Sequence, residues 1–417
     1  MATDQSFADR QRSPEAQALL ACLHLTTDLI ERAPFDQFDP AQWEALLTLA
    51  RVQRVRPIVH QALQRSQRWT LMPERLWRTL ENECRNIAMK NMRLHGETTR
   101  ILDALQPAGI TPVILKGAAL GPLVYGGLAL RELGDIDFMV PRNRAEETVR
   151  TILALGYDTI DPLPVDWHHT SRHHAALRGP HGTVIEVHWA LAPAGEPGAE
   201  VTDALWSQVQ PFTLNDRPVF QLSPVDQLLH ICIHAAYQHR MEFGLRPSFD
   251  IQRLIAHLGP HLNWNVVIER AEERRWLPGV SIALWVAHKL VGAAIPESAL
   301  TQLQPPPTVL EVAQRMTWMT PDEGRVPLAI SDISRETSIK KRLALVGGRL
   351  FISRKEIAQF YGVPQTRAAW PLLYCRRAAY LLQRYLRLTH THITATEDGS
   401  RDVADHRAAL RAWISQR

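Results

Sequence analysis

The sequence predicts an α+β protein in which a small mixed-sheet core sits inside a largely α-helical chain. Three observations predict it. Apolar residues recur at helical spacing from about residue 14 to 107 and again after Pro224. Two short strand-like runs, Thr111–Leu115 and Asp135–Val140, break that pattern. Gly179-Pro180-His181-Gly182 then separates two further strand-like runs, as a hairpin turn does. The 417 residues suffice for two or three domains of ordinary size, and 45% hydrophobic content suits a chain that buries a core.

Residues 1–12 are polar and read as disordered. Helices follow, carried by Leu19, Leu20 and Leu23, by Trp43, Leu46, Leu47 and Ala50, and by Val55, Ile58, Val59 and Leu63. A longer one covers Leu76–Leu105 after Met72-Pro73-Glu74. Val113 and Ile114 then mark a buried strand ending at Lys116-Gly117, Ala118–Tyr125 a helix stopped by Gly126-Gly127, and Arg144–Leu155 an amphipathic helix closed by Gly156. His174–Arg178 and Thr183–Trp189 form the hairpin. Val225–His239, Phe249–Leu258, Trp264–Arg275 and Val280–Val291 are helical, Pro305-Pro306-Pro307 is a rigid break, and residues 309–390 are again mostly helical. The expected organisation is a helical region over 1–107, an α/β core over 108–222, a helical domain over 223–303 and a basic helical region over 308–417.

No run approaches the ~20 apolar residues of a membrane span, and the polar N-terminus is no secretory signal. Cys22, Cys84, Cys232 and Cys375 have no paired spacing, which argues against a disulfide framework or cysteine zinc site and for a cytoplasmic location. Residues 331–417 hold 16 Lys/Arg against 7 Asp/Glu, so the net charge of +4 hides a basic C-terminal third. That asymmetry suits either an anionic partner or solvated helix faces. Lys340, Lys341, Arg342, Arg349, Arg354 and Lys355, with Tyr374, Arg376, Arg377, Tyr380, Arg384, Tyr385 and Arg387, mix bases with aromatics; inward tyrosines and outward arginines explain the mixture as well as RNA does.

Asp135 and Asp137 carry the chemistry. Period 2 puts both carboxylates on one face of a strand, with Ile136 and Phe138 turned to the core. Paired carboxylates repel unless a cation sits between them, and hard oxygen ligands suit Mg²⁺ together with substrate phosphates. Upstream, Lys116-Gly117 opens a helix whose free N–H groups can receive a phosphate. Downstream, Glu186 and His188 share one strand face, so Glu186 can supply a third carboxylate. Three acids facing a phosphate-binding loop form a two-metal phosphoryl-transfer site.

The run Leu115-Lys116-Gly117-Ala118-Ala119-Leu120, then Tyr125, Arg131, Asp135-Ile136-Asp137, Gly156-Tyr157 and Glu186-Val187-His188-Trp189, resembles a poorly characterised bacterial nucleotidyltransferase family of the DNA polymerase β-like superfamily. Asp226–Ala236 and Asp250 extend the likeness, which covers roughly residues 90–260. The resemblance implies a minimal nucleotidyltransferase fold, an NTP co-substrate and two Mg²⁺ ions, with Mn²⁺ as the alternative. It implies transfer of a nucleoside monophosphate to a hydroxyl or similar acceptor, with release of pyrophosphate. Asp135, Asp137 and Glu186 would hold the metals; Lys116, Gly117, Ala118, Arg131 and His188 would face the nucleotide. Two departures bear on the nucleotide pose: Ala118 stands where a Gly or Ser is usual, and the interval from Gly117 to Asp135 is longer. Family members accompany peptide and polysaccharide biosynthesis genes, which implies a peptide, protein or small-molecule acceptor ahead of RNA. Peptide-tailoring sugar transfer and a non-catalytic helical module with a vestigial site are the remaining readings.

Other residues admit two readings each. Arg131 either neutralises triphosphate or forms a surface ion pair with Glu132 or a neighbour. Trp189 packs or stacks a base. Trp167–His174 is a histidine-rich loop at the site's rim or a metal site, although no cysteine or nearby acid completes a ligand set. His230 and His234 lie at i, i+4 and hydrogen-bond Asp250 or bind metal. Asp250 caps a helix or, second, faces substrate.

Overall fold

The computed structural model of the chain describes residues 13–25, 28–161, 163–164, 167, 172–192, 203–318, 354, 357, 370–389, 406 and 408–414. The N-terminal helices are α1 (Pro14–Leu23), α2 (Pro40–Val52), α3 (Arg56–Arg65) and α4 (Glu74–Leu105). Local chemistry starts them. Ser13 accepts from the Ala16 N–H at 3.2 Å to cap α1, and Asp39 and Gln42 exchange hydrogen bonds of 2.8 and 3.0 Å as a capping box on α2. The 32 residues of α4 extend roughly 48 Å, far enough to serve two cores.

The sheet has seven strands in the order β3-β4-β5-β2-β1-β7-β6. They are β1 (Val113–Ile114), β2 (Ile136–Met139), β3 (Asp158–Thr159), β4 (His174–Arg178), β5 (Val184–His188), β6 (Gln210–Leu214) and β7 (Arg217–Gln221). Helix α5 (Lys116–Val124) joins β1 towards β2, and α6 (Arg142–Ala154) follows β2. The hairpin β4–β5 forms around Gly179–Gly182 as the sequence predicts. A second hairpin, β6–β7, escaped the sequence reading although Asn215-Asp216 signalled it. Both residues adopt positive φ, 54° and 59°, as a two-residue hairpin turn requires. It delivers β7 alongside β1 in parallel register.

Alternation on the strands splits the interior. Ile114, Ile136, Phe138, Ile185 and Val187 pack with Leu94, Ile101 and Leu105 of α4 and Val149 and Ile152 of α6. Val113, Leu115 and Met139 point the other way, into a larger core shared by α1 to α3 and the later helices. Those later helices are α7 (Pro224–Ile233), α8 (Arg246–Leu258), α9 (Trp264–Glu273), α10 (Leu277–Val291) and α11 (Pro307–Trp318). Leu19, Trp43, Leu228, Leu254 and Ile282 all lie in this one cluster, so the N-terminal helices and the post-sheet helices bury a common core, with Leu76 to Leu80 of α4 completing it. After α7 the chain widens into a π-helical turn, His234–Gln238, a feature frequent at functional sites. Among the described residues no helix is long and apolar enough to cross a membrane. Most of the basic C-terminal third, including Lys340, Lys341, Arg342, Arg349 and Lys355 and the side chains of Tyr380, Arg384, Tyr385 and Arg387, lies outside the described residues.

Candidate active site

Strands β2 and β5 are parallel neighbours with Asp137 opposite Glu186 in register. Because Ile136 and Phe138 are held in the sheet–α6 core, Asp137 must face the other way, into the cleft between the sheet and the helical body. Glu186 and His188 point to the same side. His188 Nε2 lies 3.0 Å from Asp137 Oδ1 and 3.2 Å from Glu186 Oε2, at 1% exposure. Lys116, the first residue of α5, takes the left-handed φ of 46° and donates from Nζ to Asp137 Oδ1 at 2.7 Å, with Glu186 Oε2 at 3.7 Å. Asp135 sits half-buried just before β2 and lines the same cavity.

The electrostatics follow from this packing. Burial works to raise the Asp137 pKa, yet the Lys116 ammonium and His188 hold it well below the usual carboxylate value. Burial and the Lys116 charge oppose protonation of His188, and the Asp137 and Glu186 carboxylates outweigh them and raise it. Asp135 moves up, through burial and then repulsion by Asp137. Asp137, Glu186 and His188 bring donor atoms within 4.8 Å of one another, as do His173, His174 and His188.

Of the remaining residues the sequence singled out, Gly117 lines the cavity. A Cβ there would overlap the Arg131 guanidinium and Leu133, so glycine is what lets that guanidinium lie against the start of α5. The Ala118 methyl packs against the sheet-side core. Arg131 does not pair with Glu132, which binds Arg56 at 3.0 Å. It instead grips Asp250 with two bonds, Nε to Oδ1 at 2.9 Å and Nη2 to Oδ2 at 2.7 Å. Tyr125 Oη donates to the same carboxylate at 2.6 Å. Asp250 is therefore no helix cap: α8 begins four residues earlier, and the acid is the buried anchor of Arg131. Nor do His230 and His234 reach it. His234 meets His239 at 3.1 Å, and His230 Nε2 is buried with no hydrogen-bond partner among the described residues. Trp189 is core, edge-on to Trp167. His173 and His174 do line the cavity, while His168 to Ser171 lie outside the described residues.

The cavity, about 650 Å³, draws its far wall from the helical body: His234, Tyr237, Gln238, His239, Phe243 and Arg246. Arg54, from the turn between α2 and α3, joins them. Of these the sequence singled out only His234; Tyr237, Gln238 and His239 lie in or just after the π-helical turn, and Arg54, Phe243 and Arg246 at turns and a helix start, where no local pattern marks them as facing a site. The arrangement combines a carboxylate cluster on one wall with cationic side chains on the other, which suits a ligand carrying phosphates on a metal ion.

No curated protein matches this chain. Among solved structures, it is similar to ANT(2″)-Ia crystallised in complex with adenylyl-2″-tobramycin, at 16% identity and TM-score 0.34, over 43% of this chain and 97% of that one. It is also similar to an antigenic nucleotidyltransferase-like protein from Paracoccidioides brasiliensis, at 20% identity and TM-score 0.27, over 50% and 96% of the two chains. The model of a family described as uncharacterised nucleotidyltransferase matches residues 39–292, more than half of the sequence, and the chain belongs to that nucleotidyltransferase family.

Proposed function

We propose that this nucleotidyltransferase moves a nucleoside monophosphate from an NTP to a hydroxyl on a peptide, protein or small-molecule acceptor. The observation that carries the reading is the paired register of Asp137 and Glu186, which gathers carboxylates, His188 and Lys116 at one point of a cleft walled by arginines. In the reaction the acceptor oxygen bonds to the α-phosphorus as its proton leaves. The bond from that phosphorus to the β-bridging oxygen breaks, and pyrophosphate departs.

The residues fit divalent cations. The Lys116 ammonium already lies 2.7 Å from Asp137 and 3.7 Å from Glu186, so this position accepts positive charge. Carboxylate oxygens are the donors Mg²⁺ prefers, and the adjoining imidazole also admits Mn²⁺. Asp135, Asp137 and Glu186 would hold the ions, which supply charge neutralisation on the phosphates and a more acidic acceptor hydroxyl when bound. His188 fixes the Asp137 and Glu186 carboxylates relative to each other. Lys116 places one positive charge beside the phosphates while α5 offers its free N–H groups. The cavity of about 650 Å³ is in the range for a small-molecule site.

The test supplies ATP, GTP, CTP and UTP, labelled at the α-phosphate, with Mg²⁺ or Mn²⁺ and with cell extract or RNA as acceptor pools. Label on a peptide or small molecule with the native protein, and none with Asp135→Asn or Asp137→Asn, is the expected outcome. Label on RNA alone moves the acceptor assignment to RNA ends. No label and no pyrophosphate in any pool overturns nucleotidyl transfer.

A further inference from the structure

Two arginines of the cavity gather on one aromatic ring, and the carboxylates that offset the charge of Arg246 (those of Asp250 and Asp135) lie beyond salt-bridge distance. The Arg54 guanidinium lies 4.7 Å from the centre of the Phe243 ring and that of Arg246 lies 4.5 Å from it. His239 stacks on the same ring at 4.2 Å and 26°. Among the described residues neither arginine forms a salt bridge. Arg246 donates from Nη1 to the Glu132 carbonyl at 2.9 Å, and its Nε is buried without a partner. Two guanidinium groups on one ring bring like charges together, and the charges of Arg131 and Arg54 both act against that of Arg246. The ring face offsets part of that repulsion, and an anion relieves the rest. By contrast Arg131 is neutralised by Asp250 and Lys116 by Asp137.

The position of Arg54 is built, not incidental. Its φ of 57° closes helix α2, with the Val55 N–H donating to the Ala50 carbonyl at 3.0 Å and the Arg54 N–H to the Arg51 carbonyl at 3.1 Å. The neighbouring Gln53, fully buried, accepts from the Leu245 N–H at 2.7 Å. Gly244, at φ 78°, packs so closely that a Cβ would come 2.9 Å from Gln53 Oε1. The turn between α2 and α3 is thus latched to the turn that carries Phe243 and Arg246, almost 200 residues away in sequence. This gives the N-terminal helices a task in the site.

We propose that Arg54 and Arg246, held on Phe243, form a clamp for the β- and γ-phosphates of the NTP. The proposal rests on the nucleotidyl-transfer reading for the identity of the anion. The carboxylate wall takes the reacting end of the triphosphate, and the clamp takes the end that leaves as pyrophosphate.

The experiment measures binding of ATP, AMP and inorganic tripolyphosphate by titration calorimetry in the presence of Mg²⁺. It compares the native protein with Arg54→Gln, Arg54→Lys and Phe243→Leu, each checked for a native thermal melt. Loss of one charge-assisted hydrogen bond predicts that Arg54→Gln weakens ATP and tripolyphosphate about 10- to 100-fold. AMP, which lacks those phosphates, is unchanged, and Arg54→Lys and Phe243→Leu fall between. Native affinity of Arg54→Gln for ATP and tripolyphosphate overturns the clamp. So does weakening of AMP in proportion to ATP, and so does a native protein that does not bind tripolyphosphate. Arg54-dependent tripolyphosphate binding in a protein that transfers no labelled nucleotide upholds the anion clamp and removes only the transfer reading.

Discussion

Removing the Asp250 carboxylate tests how the site is braced. The group is 3% exposed and accepts three hydrogen bonds, two from Arg131 and one from Tyr125. In Asp250→Leu the Arg131 guanidinium, itself 9% exposed, keeps its charge without its paired counter-ion, only the unbonded Asp135 carboxylate remaining near it, and the Tyr125 hydroxyl loses its acceptor. Breaking a buried ion pair from one side costs about 3–5 kcal/mol. Taking about 4 kcal/mol and an unfolding entropy of about 2.1 cal/mol/K per residue over roughly 300 cooperative residues, the melting temperature falls by about 6 °C. Arg131→Met alone leaves a buried carboxylate and costs a similar amount. The double variant Arg131→Met/Asp250→Leu holds neither charge, and its loss stays within about 2 kcal/mol of native. A coupling of several kcal/mol is therefore expected in a double-mutant cycle read by guanidinium chloride unfolding. Single losses below about 1 kcal/mol, or costs that simply add, refute the claim that this pair is buried, mutually dependent and structural.

Four further outcomes are expected. Gly117→Ala drives a methyl into the space of the Arg131 guanidinium, so it loses about 1–3 kcal/mol in a thermal melt and most transfer activity; unchanged behaviour in both assays contradicts the packing. Asp137→Asn removes the negative charge that Lys116 and His188 face, and nucleotide transfer at saturating substrate falls by about 100- to 1000-fold, as does transfer by native protein treated with a chelator. Burial first, then the charges of Lys116 and His188, push His230 down to about 3. Below its ordinary value of 6.5 the unfolded chain therefore takes up a proton that the folded chain refuses, and stability falls with pH through that window. His230→Leu removes this loss and flattens the stability curve between pH 6 and 4 by up to about 1.4 kcal/mol per pH unit; parallel curves for the two proteins refute it. Gly279→Ala forces a methyl into the Tyr237 ring at the cavity wall, which should shift ATP affinity while leaving α10 helical by circular dichroism.

Much of the site was legible in one dimension because its signals are local. Period 2 placed Asp137 opposite in sense to Ile136 and Phe138, and the Gly179–Gly182 turn fixed Glu186 and His188 on one face of β5. The breaker residues around β1 and α5 marked the Lys116-Gly117 junction. The β6–β7 hairpin was as local as these and was overlooked at Asn215-Asp216, whose two positive φ angles match the residue types present.

The sequence by itself determined the α+β class, the succession of β1, β2, β4 and β5 with most of the long helices, and the face on which each carboxylate stands, because alternation and capping depend on residues a few positions apart. Only the tertiary structure decided the partners. It set β2 beside β5 so that Asp137 meets Glu186, sent Arg131 to Asp250 in place of Glu132, and brought Arg54 to Phe243 and Arg246. A buried charge takes whichever counter-charge or dipole the packing of distant helices presents to it, and that choice is made by the whole core at once.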